Sequence, residues 1–214
     1  MWKPPCAASS PATPECAAVT ISAFVPAEKW LATATQRGQD AIRMKAVVEL
    51  LNEMKASGLV QDYALFGAMA QMRYTEPVAT LDADVLVLLG SAAAVDALSP
   101  IYRFCRARGY RPEGEAILVG NWPVQFIPTF SALTEEAVRE AERGEIEGIP
   151  ARVVSALHLA VIALSVGRSK DFAHILALLE AAAVSRDEVA ELAARHGLQA
   201  PWTAFTRRFL DAPA

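Results

Sequence analysis

Five consecutive apolar residues, Val85-Leu86-Val87-Leu88-Leu89, stand directly behind two aspartates, Asp82 and Asp84. A run of that length and composition suits a strand buried on both faces, and such a strand needs helices layered over its sheet. Side chains two apart on a strand point the same way, so Asp82 and Asp84 share one face. Upstream, residues 63–66 form a second short apolar run closed by Gly67, and residues 68–74 read as a short helix rich in Ala and Met. The order is therefore strand, glycine, short helix, then a strand headed by two carboxylates.

The rest of the chain fills in around that unit. Residues 41–54 carry apolar side chains at helical spacing, with Gly58 as a stop. Residues 92–108 predict a helix ending at Gly109. Residues 117–119 and 124–127 predict a hairpin around Gly120-Asn121-Trp122, and residues 133–143 an acidic helix. Beyond Gly148 and Pro150 the pattern is helical throughout, over 151–166, 170–182, 186–195 and 203–210. The expected fold class is α/β in the α+β sense: a short mixed sheet with flanking helices, then a C-terminal helical bundle. The expected organisation is a poorly ordered tail over 1–24, rich in Pro, Ala and Ser, an α/β domain over 25–148 and a helical region over 149–214.

With 53% hydrophobic and 21% charged residues, the 214-residue chain can bury a sizeable core, which argues against global disorder. A net charge of −4 argues against a wholly basic nucleic-acid binder. The longest apolar stretch, 153–166, is broken by Ser155 and His158 and is too short for a bilayer, so no membrane partner is expected. Cys6, Cys16 and Cys105 show no CxxC or Cys/His ligand spacing; reduced thiols in a cytoplasmic protein fit best.

The chemistry centres on Gly67 and the aspartates. A glycine between strand and helix lets backbone N–H groups approach a phosphate closely. Two carboxylates on one face suit a hard divalent cation, Mg²⁺ or Mn²⁺, which takes oxygen ligands together with substrate phosphates. Each half alone is a weak signal, because glycine turns are ubiquitous and strand-leading aspartates are usually solvated.

Taken together, Gly67-Ala68, about a dozen residues, then Asp82-x-Asp84 on an apolar strand resemble the nucleotidyltransferase superfamily. The segment Gly167-Arg168-Ser169-Lys170-Asp171-Phe172-Ala173-His174-Ile175 is similar to a Lys-Asp-x-x-Asp-Ile element of the AbiEii-type toxins and minimal nucleotidyltransferases. The resemblance implies an NTP substrate with its phosphates at Gly67 and Ala68, metal on Asp82 and Asp84, and Lys170 and Asp171 near the nucleotide. It also implies a basic residue at Arg73, able to pair with phosphate or with Asp82. The acceptor it implies is a hydroxyl on RNA, protein or a small molecule, with an antitoxin as a partner of the toxin-like branch.

Two positions depart from the family pattern. Where a third carboxylate is usual, the chain offers Gln125, which neither neutralises charge nor acts as a general base. Either two aspartates suffice for the metal, or the chain is a catalytically weak nucleotide-binding module. His174 stands where branch members often have aspartate. Simpler readings stand beside these. Lys170 and Asp171 also suit a helix start, His174 suits a helix surface, His158 a satisfied core position, and His196 a helix C-terminus.

Overall fold

A computed structural model of the chain describes residues 44–76, 80, 82–90 and 97–211. The tail over 1–24, Cys6, Cys16 and Leu81 lie outside the described residues. The elements are α1 (Met44–Ala56), β1 (Asp62–Phe66), α2 (Gly67–Gln71), β2 (Ala83–Leu88), α3 (Ser99–Ala107), β3 (Arg111–Glu113), β4 (Ala116–Val119), β5 (Trp122–Pro128), α4 (Ala132–Arg139), β6 (Glu142–Ile146), β7 (Ile149–Val153), α5 (Ala156–Val166), α6 (Ser169–Glu180), α7 (Arg186–Arg195) and α8 (Gln199–Phe209). The seven strands form one mixed sheet in the order β3-β4-β5-β2-β1-β7-β6.

The centre of that sheet follows from composition. β2 pairs antiparallel with β1 and parallel with β5, so both its edges are filled. Val85, Leu86 and Val87 of β2, like Tyr63, Ala64 and Leu65 of β1, are buried. The apolar side of α1 (Val47, Val48, Leu51, Met54) packs onto β1, β5, β6 and β7. Two polar links fix it there. Tyr63 Oη donates to Asn52 Oδ1 at 2.7 Å, and Asn52 Nδ2 donates to the Pro150 carbonyl at 2.8 Å. Burial pushes the Tyr63 hydroxyl up to about 12, so it stays a donor.

The expected hairpin is present as β4 and β5, antiparallel with Val119 opposite Trp122. Two expectations are corrected. The helix expected over 133–143 stops at Arg139, and Glu142–Ile146 is strand β6 at the sheet edge. A charged strand such as Glu-Arg-Gly-Glu-Ile is what an edge tolerates, and the acidic pattern mimicked a helix surface. The helix expected from residue 151 begins instead at Ala156, because Ile149–Val153 is strand β7, lying parallel to β1 with Val153 beside Leu65. Ala151 and Val153 point into the core while Arg152 reaches sideways. Its Nη2 donates to the carbonyls of Val138 and Arg139 at 2.9 and 3.0 Å, closing the C-terminal end of α4.

From Ala156 the chain is helical. α5 is apolar almost all round and is covered by α4, α6, α7 and α8. It starts at Ser155, whose hydroxyl accepts from the His158 N–H, and ends at Gly167 in the left-handed conformation. Phe172, Trp202, Phe205 and Phe209 pack α6 against α8, with ring centroids 5.2–5.6 Å apart. Truncating a buried residue here, such as Ile175 to Ala, costs about 2–5 kcal/mol. Cys105 is buried and its thiol is pushed up to about 11 by burial, which leaves it unreactive. Among the described residues, no helix is long and apolar enough to cross a membrane.

Candidate functional site

β1 ends at Phe66, and Gly67 turns the chain into α2 with φ +62°. The turn needs glycine twice over. A side chain is disfavoured at that φ. A Cβ on Gly67 would also fall well inside contact distance of Asp84 Oδ2 and 3.3 Å from the Asp84 Cβ. The register explains the closeness, since Phe66 lies opposite Asp84 across the β1–β2 ladder. The backbone at Gly67 is thus laid directly against the second carboxylate of the Asp82/Asp84 pair.

The other side of β2 brings in β5. Asp84 is in register with Gln125, and Gln125 Nε2 donates to Asp82 Oδ2 at 3.2 Å. Thr80 Oγ1 donates to Asp82 Oδ1 at 3.0 Å. Asp82 is therefore oriented by two neutral donors that leave its charge in place. Asp84 is half-buried. Burial pushes its carboxyl above the ordinary value, the neighbouring Asp82 adds to the rise, and Lys170 opposes it. The pair is an oxygen-rich spot of unbalanced negative charge, as a hard divalent cation requires.

Lys170, in the first turn of α6, acts on Asp84 through its charge. A buried glutamine, Gln71, connects α6 to the glycine turn, its Nε2 donating to the His174 carbonyl at 3.5 Å. Asp171 does something else. Its carboxylate is buried and accepts from the Arg168 N–H at 3.0 Å and from the Arg168 guanidinium at 2.8 and 3.1 Å. Burial raises its pKa, but the Arg168 hydrogen bonds outweigh that and hold it below the ordinary value. Asp171 therefore caps its own helix. His174 is half-buried, and burial lowers its pKa. Arg73 leans toward β6, with its Nε 3.2 Å from Glu142 Oε2. Ala68 follows Gly67 in α2, half-buried.

The structure thus brings Gly67, Asp82, Asp84, Gln125 and Lys170 to one place, and turns Asp171 and Arg73 toward Arg168 and Glu142. Sequence reasoning missed Thr80, although a hydroxyl two residues before Asp82 was the available signal. It also missed Arg168 as the partner of Asp171.

No family model and no curated protein matches the sequence. Similar solved structures exist. One is the solution structure of the antibiotic-resistance factor ANT(2'')-Ia, 14% identical over 79% of this chain and 98% of that one, with a TM-score of 0.45. Another is an antigenic nucleotidyltransferase-like protein from Paracoccidioides brasiliensis, 16% identical over 76% of this chain and 93% of that one, with a TM-score of 0.47. A crystal structure of ANT(2'')-Ia in complex with adenylyl-2''-tobramycin is 13% identical over 76% of this chain and 97% of that one, with a TM-score of 0.40. Likeness at this level leaves the chemistry to be argued from the chain's own residues.

Proposed function

We propose that the chain transfers a nucleoside monophosphate from an NTP to a hydroxyl acceptor, in a divalent-cation-dependent reaction. The observation that carries this reading is the apposition of Gly67 to Asp84, with Asp82 just before the strand, bonded to Gln125 and acting on Asp84 through its charge. A residue without a side chain is pressed against a carboxylate pair in which burial, and then the neighbouring Asp82, push Asp84 above its ordinary value. The donor set, two carboxylates and no nitrogen or sulfur, fits Mg²⁺ or Mn²⁺. Such an ion, when bound, stabilises negative charge at the α-phosphate.

The chain's own residues supply the rest. Asp82 and Asp84 hold the cation. The backbone at Gly67 and Ala68 lies against the phosphates. Lys170 adds a mobile positive charge beside Asp84 for the phosphate oxygens. An acceptor oxygen bonds to the α-phosphorus, the bond to the bridging oxygen breaks, pyrophosphate leaves, and the hydroxyl proton passes to solvent. RNA, a protein and a small molecule all offer such a hydroxyl. The test uses α-labelled NTP with each acceptor class. Label transfer by the wild type, reduced about 10³-fold or more by Asp82→Asn with Asp84→Asn, is expected. Undiminished transfer by that variant would sink the mechanism.

One observation favours a second reading. Gln125 puts an amide donor on Asp82 where the family pattern has a carboxylate. A site with that substitution can hold a nucleotide without turning it over. Nucleotide binding insensitive to Mg²⁺, with no pyrophosphate release, would select this reading. The toxin-like reading, with a partner antitoxin, is supported by the 167–175 segment alone. Growth arrest on expression, relieved by Asp84→Asn, is its test.

A further inference from the structure

Away from the aspartate pair, α4 and α5 bring Glu136, Glu140 and His158 together. Each offers one ligand atom, and the three atoms lie within 4.8 Å of one another. His158 Nε2 is 3.5 Å from Glu136 Oε1 and 3.9 Å from Glu140 Oε2. His158 is only 3% exposed. Its Nε2 is buried without a hydrogen-bond partner among the described residues, and the facing Glu136 Oε1 is buried with an ion pair to Arg195. A buried ring nitrogen facing two carboxylates at 3.5 and 3.9 Å, longer than an ordinary hydrogen bond to either, calls for an explanation.

The other ring nitrogen narrows it. His158 Nδ1 lies 2.8 Å from Ser155 Oγ, which also accepts from the His158 backbone N–H at 3.3 Å. In the neutral ring whose Nδ1–H donates to Ser155, the Nε2 lone pair faces two carboxylates, an arrangement that a cation between them makes favourable. This is how ligating histidines are usually held, by a hydrogen bond at the far nitrogen. Glu136 is itself braced from α7. His196 Nε2 lies 2.8 Å from Glu136 Oε2, and Arg195 Nη2 lies 3.0 Å from Glu136 Oε1. Arg195 also brings a positive side chain to the cluster. Its side chain is 55% exposed.

We propose that His158 Nε2, Glu136 Oε1 and Glu140 Oε2 form a binding site for a transition-metal ion of the zinc type, which ties α4 to α5. Bonds of about 2.0–2.1 Å in a tetrahedron place ligand atoms about 3.4 Å apart. The Glu136–His158 separation of 3.5 Å already meets that, and Glu140 needs to close by about half an ångström. An imidazole nitrogen in the set selects zinc-type ions over Mg²⁺. Glu140 is mostly exposed, so the ion has a route in and water completes its coordination. The site uses none of the residues of the proposed nucleotide site.

The test titrates Zn²⁺ into the full chain carrying Asp82→Asn and Asp84→Asn, so that the other carboxylate pair does not contribute. Calorimetry gives the stoichiometry. Co²⁺ substitution gives the visible absorption band of a tetrahedral site. One equivalent bound, a Co²⁺ band, and at least about tenfold weaker binding on Glu140→Gln are expected. Glu140 is exposed, so this variant keeps the test informative even if His158→Asn fails to fold. No stoichiometric binding would overturn the proposal and leave His158 Nε2–H facing the two glutamates as the explanation. So would Zn²⁺ binding that is unchanged in Glu140→Gln.

Discussion

The two acidic clusters of this molecule are built in opposite ways. At Asp82 and Asp84, the carboxylates lie two residues apart where the chain enters β2, and the neighbours are a bare glycine backbone, an amide and a lysine. At Glu136, Glu140 and His158, the ligands come from two helices and are braced from a third, with a buried imidazole as the central group. The first is an all-oxygen, partly open spot beside a backbone that a substrate can approach. The second is a mixed nitrogen and oxygen spot packed between helices. On the two proposals made above, similar charge would serve different ions, hard and substrate-linked in one place, softer and structural in the other.

Three perturbations sharpen that contrast. Gly67→Ala has the largest expected effect. It places a Cβ against Asp84 and costs about 1–2 kcal/mol for the left-handed backbone. Nucleotide binding should fall by about 100-fold or more because the carboxylate is displaced, while Zn²⁺ affinity stays at the wild-type value. Calorimetry with both ligands checks this, and equal losses at both sites would show that the clusters are not independent. Gln125→Glu comes next. It removes a donor from Asp82 and adds a third carboxylate. Mg²⁺ affinity should rise roughly tenfold while the metal-free protein melts at a lower temperature. Unchanged Mg²⁺ affinity would mean that no cation sits on this face.

Asp171→Ala has the smallest expected effect and should touch neither ion. The loss is that of a helix-capping interaction, about 1 kcal/mol or roughly 2–4 °C in Tm. Its pH dependence has a definite sign. The folded protein holds the Asp171 carboxyl below its ordinary value, so its contribution is complete above about pH 3.9. It is lost as the pH falls through the lower folded value. Thermal melts of wild type and variant should therefore differ at neutral pH and converge in strong acid. If nucleotide binding instead fell sharply in this variant, Asp171 would belong to the site despite its contact with Arg168.

The same contrast explains what the sequence made legible. The β2 strand could be read because Val85 to Leu88 is apolar without interruption; of the two aspartates expected on it, Asp84 lies in the strand and Asp82 just before it. The β4–β5 hairpin could be read from its Gly-Asn turn. β6 and β7 could not, because five-residue strands with Glu, Arg and Pro carry too little periodicity to compete with the apolar helix that follows. Ser155, the true N-cap, was the overlooked marker of where that helix starts. Asp171 illustrates a different limit. A carboxylate in a first helical turn reads equally as site or cap, and only the Arg168 contacts distinguish the two. The histidine–glutamate cluster was out of reach for a simpler reason. Glu136 and Glu140 are one helical turn apart, but nothing local says that His158 packs onto them; that is a property of how α5 docks on α4.

The central claim is that Asp82 and Asp84, with the Gly67 backbone, form a cation-dependent nucleotide site. Calorimetry with the four NTPs, each with and without Mg²⁺, on wild type and on Asp82→Asn/Asp84→Asn tests it most directly. The account predicts binding of at least one NTP that needs both Mg²⁺ and the aspartates. Binding that is indifferent to the ion and to the double substitution would contradict it, as would no binding to any of the four.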